Sequence, residues 1–553
     1  MPPSELKGIA MHQRSRSFAA VVAAALLVLG LAACGDEDPA EQELSENRVG
    51  AMAEYGVGDQ FKATEPLSFS MLYNNHPNYQ LKTDWLFWSE LKKRTNITIE
   101  PSAVPLSDYE QKRALLIGSG QAPLIIPKTY PNQEDPFVSS GAILPVSDYI
   151  DLMPNFKDKV AKWNLEPELN QHRQEDGKFY VLPGLHEKPW QDYSIAIRTD
   201  ILEKLNLQPP KTWDDLYTVL KAMKAAYPQS TPFSDRFSQP TPGGNLLNIL
   251  AASYATRGGW NYQNMYFDSD AGKWVFTGAM EEYKQMLQYL NKLVKEGLLD
   301  PESFTQSDDQ ARQKLANGKS FVISANAQAV VNDYRPDLAK TIPSAKIAKV
   351  VLPIGPRGEI NPASRLENGI IISTKARESK NFVAMMQFID WLWYSDAGQE
   401  FAKWGVDGTT FSKAGADYKL ASDVDFLGLN AGAPKHLQKD FGFSNGVFAY
   451  GGPTTLVQST FSEEEKEFQK VLNARPPIAV DPPAPLSDEE REQATLWETP
   501  LTDFVKQSTL EFILGQRDFA EWDAYVNEAK AKNSEQLINL VNEAYERYKK
   551  EHG

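Results

Sequence analysis

From Leu67 to Tyr548 short apolar runs alternate with amphipathic helical segments, and that alternation restricts the chain to layered α/β architecture. The run "LSFSMLY" (67–73) reads as a buried strand, "KTDWLFWSELKKRT" carries Trp85, Leu86, Trp88 and Leu91 at helical spacing, and "NITIEP" is a second strand. Further strands are expected at "LIIP" (124–127), "KFYVLP" (178–183), "SIAIRTD" (194–200) and "NGIIIS" (368–373). In "KTWDDLYTVLKAMKAAYP", Thr212 is an N-cap with Asp215 three residues on, followed by Leu216, Val219, Leu220 and Met223 along one face. The stripe of Tyr283, Met286, Leu287, Leu290, Leu293 and Val294 marks another core-facing helix. "NARPPIAVDPPAPLS" (473–487) reads as a long extended connection over the surface.

Cys34 is the sole cysteine, so neither a disulfide framework nor a thiolate metal site is available, and the fold rests on its apolar core. The chain is 42% hydrophobic and 11% aromatic, a globular composition. Ahead of Cys34, Arg14 and Arg16 precede an apolar run from Phe18 to Leu31, short for a membrane span and ending in small residues, which is the pattern of a signal peptide. Leu31-Ala32-Ala33-Cys34 resembles the lipobox of bacterial lipoproteins, and that resemblance implies lipidation of Cys34 and cleavage before it. The first 33 residues hold Lys7, Arg14, Arg16 and Glu5, and without them the chain has 54 basic against 72 acidic groups. Such a surface repels phosphate backbones, so nucleic acid is not an expected partner. Residues 34–62, acidic and without apolar periodicity, read as a flexible tether. About 490 residues follow, enough for two lobes of about 250 each.

Several segments in order resemble the extracellular solute-binding proteins of ABC importers, in particular the oligosaccharide-binding subgroup: "EDGKFYVLPG", "SIAIRTDILEKLNLQPPKTWDDLYTVLKAM", "YKQMLQYLNKLVKEGLLDPE", "KLANGKSFVIS" and "KNFVAMMQFIDWLWYSDAGQEFAKWGVDGTTF". The resemblance implies a two-lobed, periplasmic-binding-protein-like type II α/β fold with a hinge and an inter-lobe cleft. It places the first lobe at 63–190 and 361–415, and the second at 191–360 and 416–553 with the C-terminal helices. It further implies a monomeric receptor, not an enzyme, that is lipid-anchored on the extracytoplasmic face of the cell membrane. Such a receptor traps an oligosaccharide and delivers it to permease subunits.

Sugars offer apolar C–H faces and a rim of hydroxyls, so their sites combine aromatic planes with amide, carboxylate or guanidinium groups. Loops at strand ends of an open α/β sheet are where ligands sit. On those grounds "YNNHPNY" nominates Tyr73, Asn74, Asn75 and His76, and the inter-lobe crossing nominates Trp190 and Asp192. "PKTYPNQ" nominates Lys128 and Tyr130, which align with a sugar-contacting loop of the maltodextrin binders. "TRGGWNY" nominates Trp260, whose ring stands clear between flexible neighbours, and "SANAQ" nominates Asn326 and Gln328. Arg365 and Glu367 lie at the return crossing, and Trp497, just ahead of the C-terminal helix, falls near a stacking aromatic of the relatives.

No cofactor and no metal are expected. Alginate-type relatives carry a calcium loop after the helix matching "DDLYTVLKAMK", whereas this chain continues "AAYPQSTPFSDRF", without close-spaced oxygen ligands. "DSDAGKW" (268–274) reads as a hairpin turn. The rival reading is a secreted glycosidase with paired carboxylates across a cleft. H-E-x-x-H and P-loop motifs are absent, and His76, His172, His186, His436 and His552 lack metal-ligand spacing. His186 with Glu187 is the one pair whose position beside the crossing marks it for inspection.

Overall fold

Ten strands carry the frame of the computed structural model, which describes residues 44–130, 132–236, 243–415 and 417–552. They are β1 (Leu67–Asn75), β2 (Ile97–Pro105), β3 (Ile125–Thr129), β4 (Leu182–Leu185), β5 (Ser194–Arg198), β6 (Met265–Asp268), β7 (Lys273–Phe276), β8 (Val322–Ala325), β9 (Ile347–Lys349) and β10 (Leu366–Ile372). The lipobox and signal segment lie outside the described residues.

A five-stranded sheet in the order β2-β1-β3-β10-β4 organises the first lobe. β1 runs parallel to β2 from Leu67↔Ile97 to Asn75↔Pro105, and the helix Leu86–Thr95 makes the crossover. β10 returns antiparallel between β3 and β4. The helix Phe382–Tyr394 is buried at every position, and a helix that is apolar nearly all round must be enclosed. Phe388, Trp391 and Trp393 join Phe87, Phe401 and Phe448 in one aromatic core. The buried carboxylate of the same helix is satisfied: Asp390 accepts from Asn155 N at 3.1 Å, Asn155 Nδ2 at 2.6 Å, Phe156 N at 2.8 Å and Tyr55 Oη at 2.9 Å.

The second lobe is built on a three-stranded antiparallel sheet, β8-β5-β9. β5 is buried at all five positions, so it is covered on both faces. The helix Trp213–Ala226 begins with the expected capping box, in which the Thr212 hydroxyl accepts from Asp215 N and Asp215 answers to Thr212 N. The helices Glu281–Lys295 and Asp488–Leu514 pack together through Leu287, Leu290, Leu501, Val505 and Phe512. β6 and β7 form the hairpin expected at 268–274.

Four expectations about organisation need correction. The described part of the 34–62 tether does not hang free: Phe61 is fully buried, Tyr55 reaches Asp390, and Val49 N donates to Lys380 O. Its aromatic residues dock it, a feature that its acidic average conceals. Residues 435–452, expected in the second lobe, pack on the first: Trp85 Nε1 donates to Lys439 O, Trp393 Nε1 to Val447 O, and Asn445 Nδ2 to Tyr73 Oη. The strand expected at 178–183 begins at Leu182, while Phe179 and Tyr180 are buried just ahead of it. Finally, Trp497 lies inside the 27-residue helix Asp488–Leu514, which continues through Pro500.

Candidate functional site

The two sheets face each other across a cleft of about 3470 Å³, lined from both lobes and by three chain crossings. The crossings are tied to one another. His186 N donates to Arg365 O at 2.8 Å, Glu187 N lies 3.4 Å from Gly452 O, and Thr454 N donates to Glu187 Oε2 at 2.7 Å. His186 Nε2 pairs at 2.6 Å with Glu367 Oε2, so the histidine's carboxylate partner is not the adjacent Glu187. Burial alone raises the Glu367 carboxyl. His186, Lys403 and Lys128 outweigh that and hold it below the usual carboxylate range.

The C-terminal ends of β1 and β3 open into this cleft, as the rule for parallel sheets requires. Asn74 is buried at its wall with Oδ1 unpartnered, Asn75 Oδ1 accepts from Leu81 N, and His76 stacks on Tyr79 at 4.7 Å. Lys128 sits in the left-handed region at φ 58°, its backbone N donating to Tyr450 Oη, and Tyr130 is 47% exposed. Tyr73 is not part of the cleft. β1 extends past it to Asn75, so its ring turns into the core against Trp85 and Phe448, and its hydroxyl donates to Tyr79 O.

At the crossing, Trp190 stacks on Phe461 at 6.1 Å and 28° and flanks His186, with its indole N–H enclosed and unpartnered among the described residues. Asp192 accepts from Asn326 Nδ2 at 3.1 Å, and Asn326 Oδ1 caps Ala329 N, so this amide joins the two lips of the second lobe. Gln328 lines the cleft beside it. Trp260 is 38% exposed and stands edge-on to Tyr193 at 5.1 Å. The glycine before it is required: Gly259 has φ 59°, and a Cβ there would lie 2.0 Å from Gly244 O.

Besides Tyr73, two nominated residues are committed elsewhere. Arg365 touches the cleft, but its guanidinium is held by Glu168, Trp163 O and Asn164 O, so it braces the first lobe. Trp497 is absent from the cleft wall and packs against the core of the second lobe. Sequence reasoning missed Tyr193, Phe461, Arg236, Arg257, Arg357 and Tyr266, all of them cleft-lining. It also missed that the proline-rich segment 477–486 forms a wall of the cleft. The Arg257 signal was available in "TRGGWNY", three residues ahead of a nominated tryptophan.

Acid–base groups on and beside these walls predict a pH profile of stability. Burial and neighbouring Asp135 push Glu134 up to about 8 and Glu498 up to about 7. Both carboxyls are raised above their unfolded values, so the folded state binds more protons and gains stability as pH falls from 7.5 to 6.5. Burial, joined at His76 by Lys128, pushes His76 and His172 down to about 4. Below 6.5 the unfolded state takes up protons at these histidines first, which opposes the carboxyl gain. The thermal midpoint is expected to rise from pH 7.5 to 6.5 and then level off. A midpoint that falls steadily over the first interval contradicts these assignments.

A family model for bacterial extracellular solute-binding protein matches residues 83–400. The fructooligosaccharide ABC transporter substrate-binding protein FusA of Streptococcus pneumoniae is 25% identical over 574 residues, covering 97% of this chain and 99% of its own. The polygalacturonan/rhamnogalacturonan-binding protein YtcQ of Bacillus subtilis is 23% identical over 479 residues, 83% of this chain and 88% of its own. Among solved structures, the alginate-binding protein AlgQ2 without calcium ion superposes with TM-score 0.67 at 21% identity, covering 88% of this chain and 99% of that one. FusA in complex with kestose gives 0.64 at 22%, covering 88% and 100%. These superpositions carry the two-lobed fold.

Proposed function

The chain belongs to the family of bacterial extracellular solute-binding proteins, and from that premise we propose that it is the receptor of an ABC importer, capturing an oligosaccharide between its lobes and presenting it to permease subunits. The observation that carries the sugar reading is the cleft. Its volume of about 3470 Å³ exceeds the roughly 300–1,000 Å³ of a small-molecule pocket. Its walls mix accessible rings at Tyr130 and Trp260 with amides and carboxylates at Asn74, Asp192, Gln328 and Glu367. Rings accept the apolar faces of pyranose or furanose units, and the polar groups bind their hydroxyls. Hinge closure about the three crossings completes those bonds and excludes water. The sugars named for FusA and YtcQ support the same class of ligand.

Asn74, Asn75, His76, Lys128, Tyr130, Trp190, Asp192, Trp260, Asn326, Gln328 and Glu367 are the ligand-binding set in this reading. The receptor acts as a monomer without catalysis, and the lipid on Cys34 tethers it to the extracytoplasmic face of the membrane. No helix among the described residues is long and apolar enough to cross a membrane.

A thermal-shift screen against neutral and uronic-acid oligosaccharides of two to six units, with the sugar recovered and chromatographed, tests the proposal. A ligand at 100 times its dissociation constant adds about 2.7 kcal/mol to stability. A raised midpoint with intact sugar is the expected result. Sugar consumed in the assay favours a glycosidase instead, and no shift across the panel overturns the oligosaccharide reading.

A further inference from the structure

Residues 477–486 run along the cleft wall as an extended strap containing Pro477, Pro482, Pro483 and Pro485, and none of its ten residues is buried. From Ala479 to Ala484, the hydrogen bonds that hold it all run through Asp481 among the described residues. The Asp481 carbonyl accepts from Gln171 Nε2 of the first lobe at 2.6 Å, and its carboxylate is paired with Arg257 of the second. Burial raises the Asp481 carboxyl, and Arg257 and the more distant Arg357, which donates to Tyr266 Oη at 3.3 Å on the same cleft wall, offset part of that rise. One guanidinium is therefore paired with the carboxylate, and a second lines the cleft nearby. Arg257 Nε is also enclosed and without a partner.

A planar fork with an unmet donor, set beside a second arginine, is the donor set for a carboxylate. Arg257 lies on the same short loop as Trp260, whose exposed ring offers a stacking plane. A proline-rich strap is stiff and keeps its extended shape when released, so the stretch from Ala479 to Pro483 can undock while Ala484 and Leu486 stay packed on the second lobe's core.

We infer that Arg257 and Arg357 form a subsite for the carboxylate of an acidic sugar unit, and that Asp481 on the strap occupies this subsite as an internal competitor until such a ligand displaces it. The inference rests on the oligosaccharide reading above and narrows it to a uronic-acid-containing ligand. Undocking the strap also breaks the bridge between Gln171 and Arg257, so ligand entry and freedom of the lobes are coupled.

Titration calorimetry of the full chain with trigalacturonate and with its neutral counterpart galactotriose tests this, on wild type, Asp481→Asn and Arg257→Gln. Removing a competitor that is docked about 90% of the time raises apparent affinity about tenfold. Asp481→Asn is thus expected to bind trigalacturonate about tenfold more tightly and galactotriose unchanged. Arg257→Gln should lose about tenfold for trigalacturonate alone, with Arg357→Gln as the substitute if its thermal midpoint shows misfolding. Equal changes for both sugars, or weaker trigalacturonate binding by Asp481→Asn, would reduce the strap to a structural latch and overturn the subsite. If Asp481→Asn takes no trigalacturonate, the subsite is likewise overturned. The receptor reading stands or falls separately, on whether any sugar of the wider panel binds the wild type.

Discussion

Trp190→Ala is expected to weaken binding of the best-bound oligosaccharide about 50-fold or more, the largest loss from any single cleft residue. Trp190 lies where the first crossing meets the cleft, its ring backed by Phe461 at 6.1 Å and flanked by His186 at 5.5 Å. A sugar face laid on such a supported ring gains about 2–3 kcal/mol from apolar burial and stacking. That corresponds to roughly 30- to 150-fold in dissociation constant. The enclosed indole N–H adds a donor for a bound hydroxyl. Trp190→Phe keeps the plane and loses only the donor, so it should recover most of the affinity. Calorimetric titration of both variants, with thermal midpoints measured alongside, checks this. Unchanged affinity in a folded Trp190→Ala protein would remove Trp190 from the site.

Glu465→Ala is expected to cost about 3–5 kcal/mol of stability, because it strands a buried lysine. Lys349 Nζ lies 2.7 Å from Glu465 Oε2, and the two side chains are 3% and 7% exposed. Lys349 also donates to Asp192 O at 2.9 Å, and Gln469 Nε2 bonds both Glu465 and Gln191 O. This one network joins β9, the first crossing and the helix Glu463–Asn473 beneath the Asp192–Asn326 lip. Burial raises the Glu465 carboxyl, and Lys349 offsets part of that rise, so the carboxylate depends on the lysine for its charge. The double variant Lys349→Met with Glu465→Leu leaves no unpaired charge and should regain most of the loss. Urea midpoints of the single and double variants decide it; additive losses would show that the pair does not act as a unit.

Local signals were legible in the chain. The Thr212 capping box, the β1 and β2 runs and the turn at 268–274 each depend on neighbours within a few residues. The glycines before Trp260 belong to the same class, since a positive φ at Gly259 is a local demand. What escaped was set by distant partners. Tyr55 docks through Asp390, 335 residues away, and nothing near Tyr55 announces it. Arg365 looked available because Glu168 lies 197 residues before it. Tyr73 is a similar case, its fate decided by Trp85, Phe448 and Asn445. Residues 435–452 were placed in the wrong lobe because their partners in the first lobe, such as Trp85 and Trp393, come from chain segments well upstream. The strap was read as surface connection from its prolines, and nothing near Asp481 in the sequence announces its partner Arg257, 224 residues away.

The measurement that bears most directly on the account is a crystal structure of the protein grown with the tightest oligosaccharide of the screen. The predicted result is an intact sugar enclosed between the two sheets, with rings against Trp190 and Trp260 and hydroxyls on Asn74, Asp192 and Gln328. Sugar bound outside this cleft, or present only as cleavage products within it, would contradict a receptor that traps its ligand between the lobes.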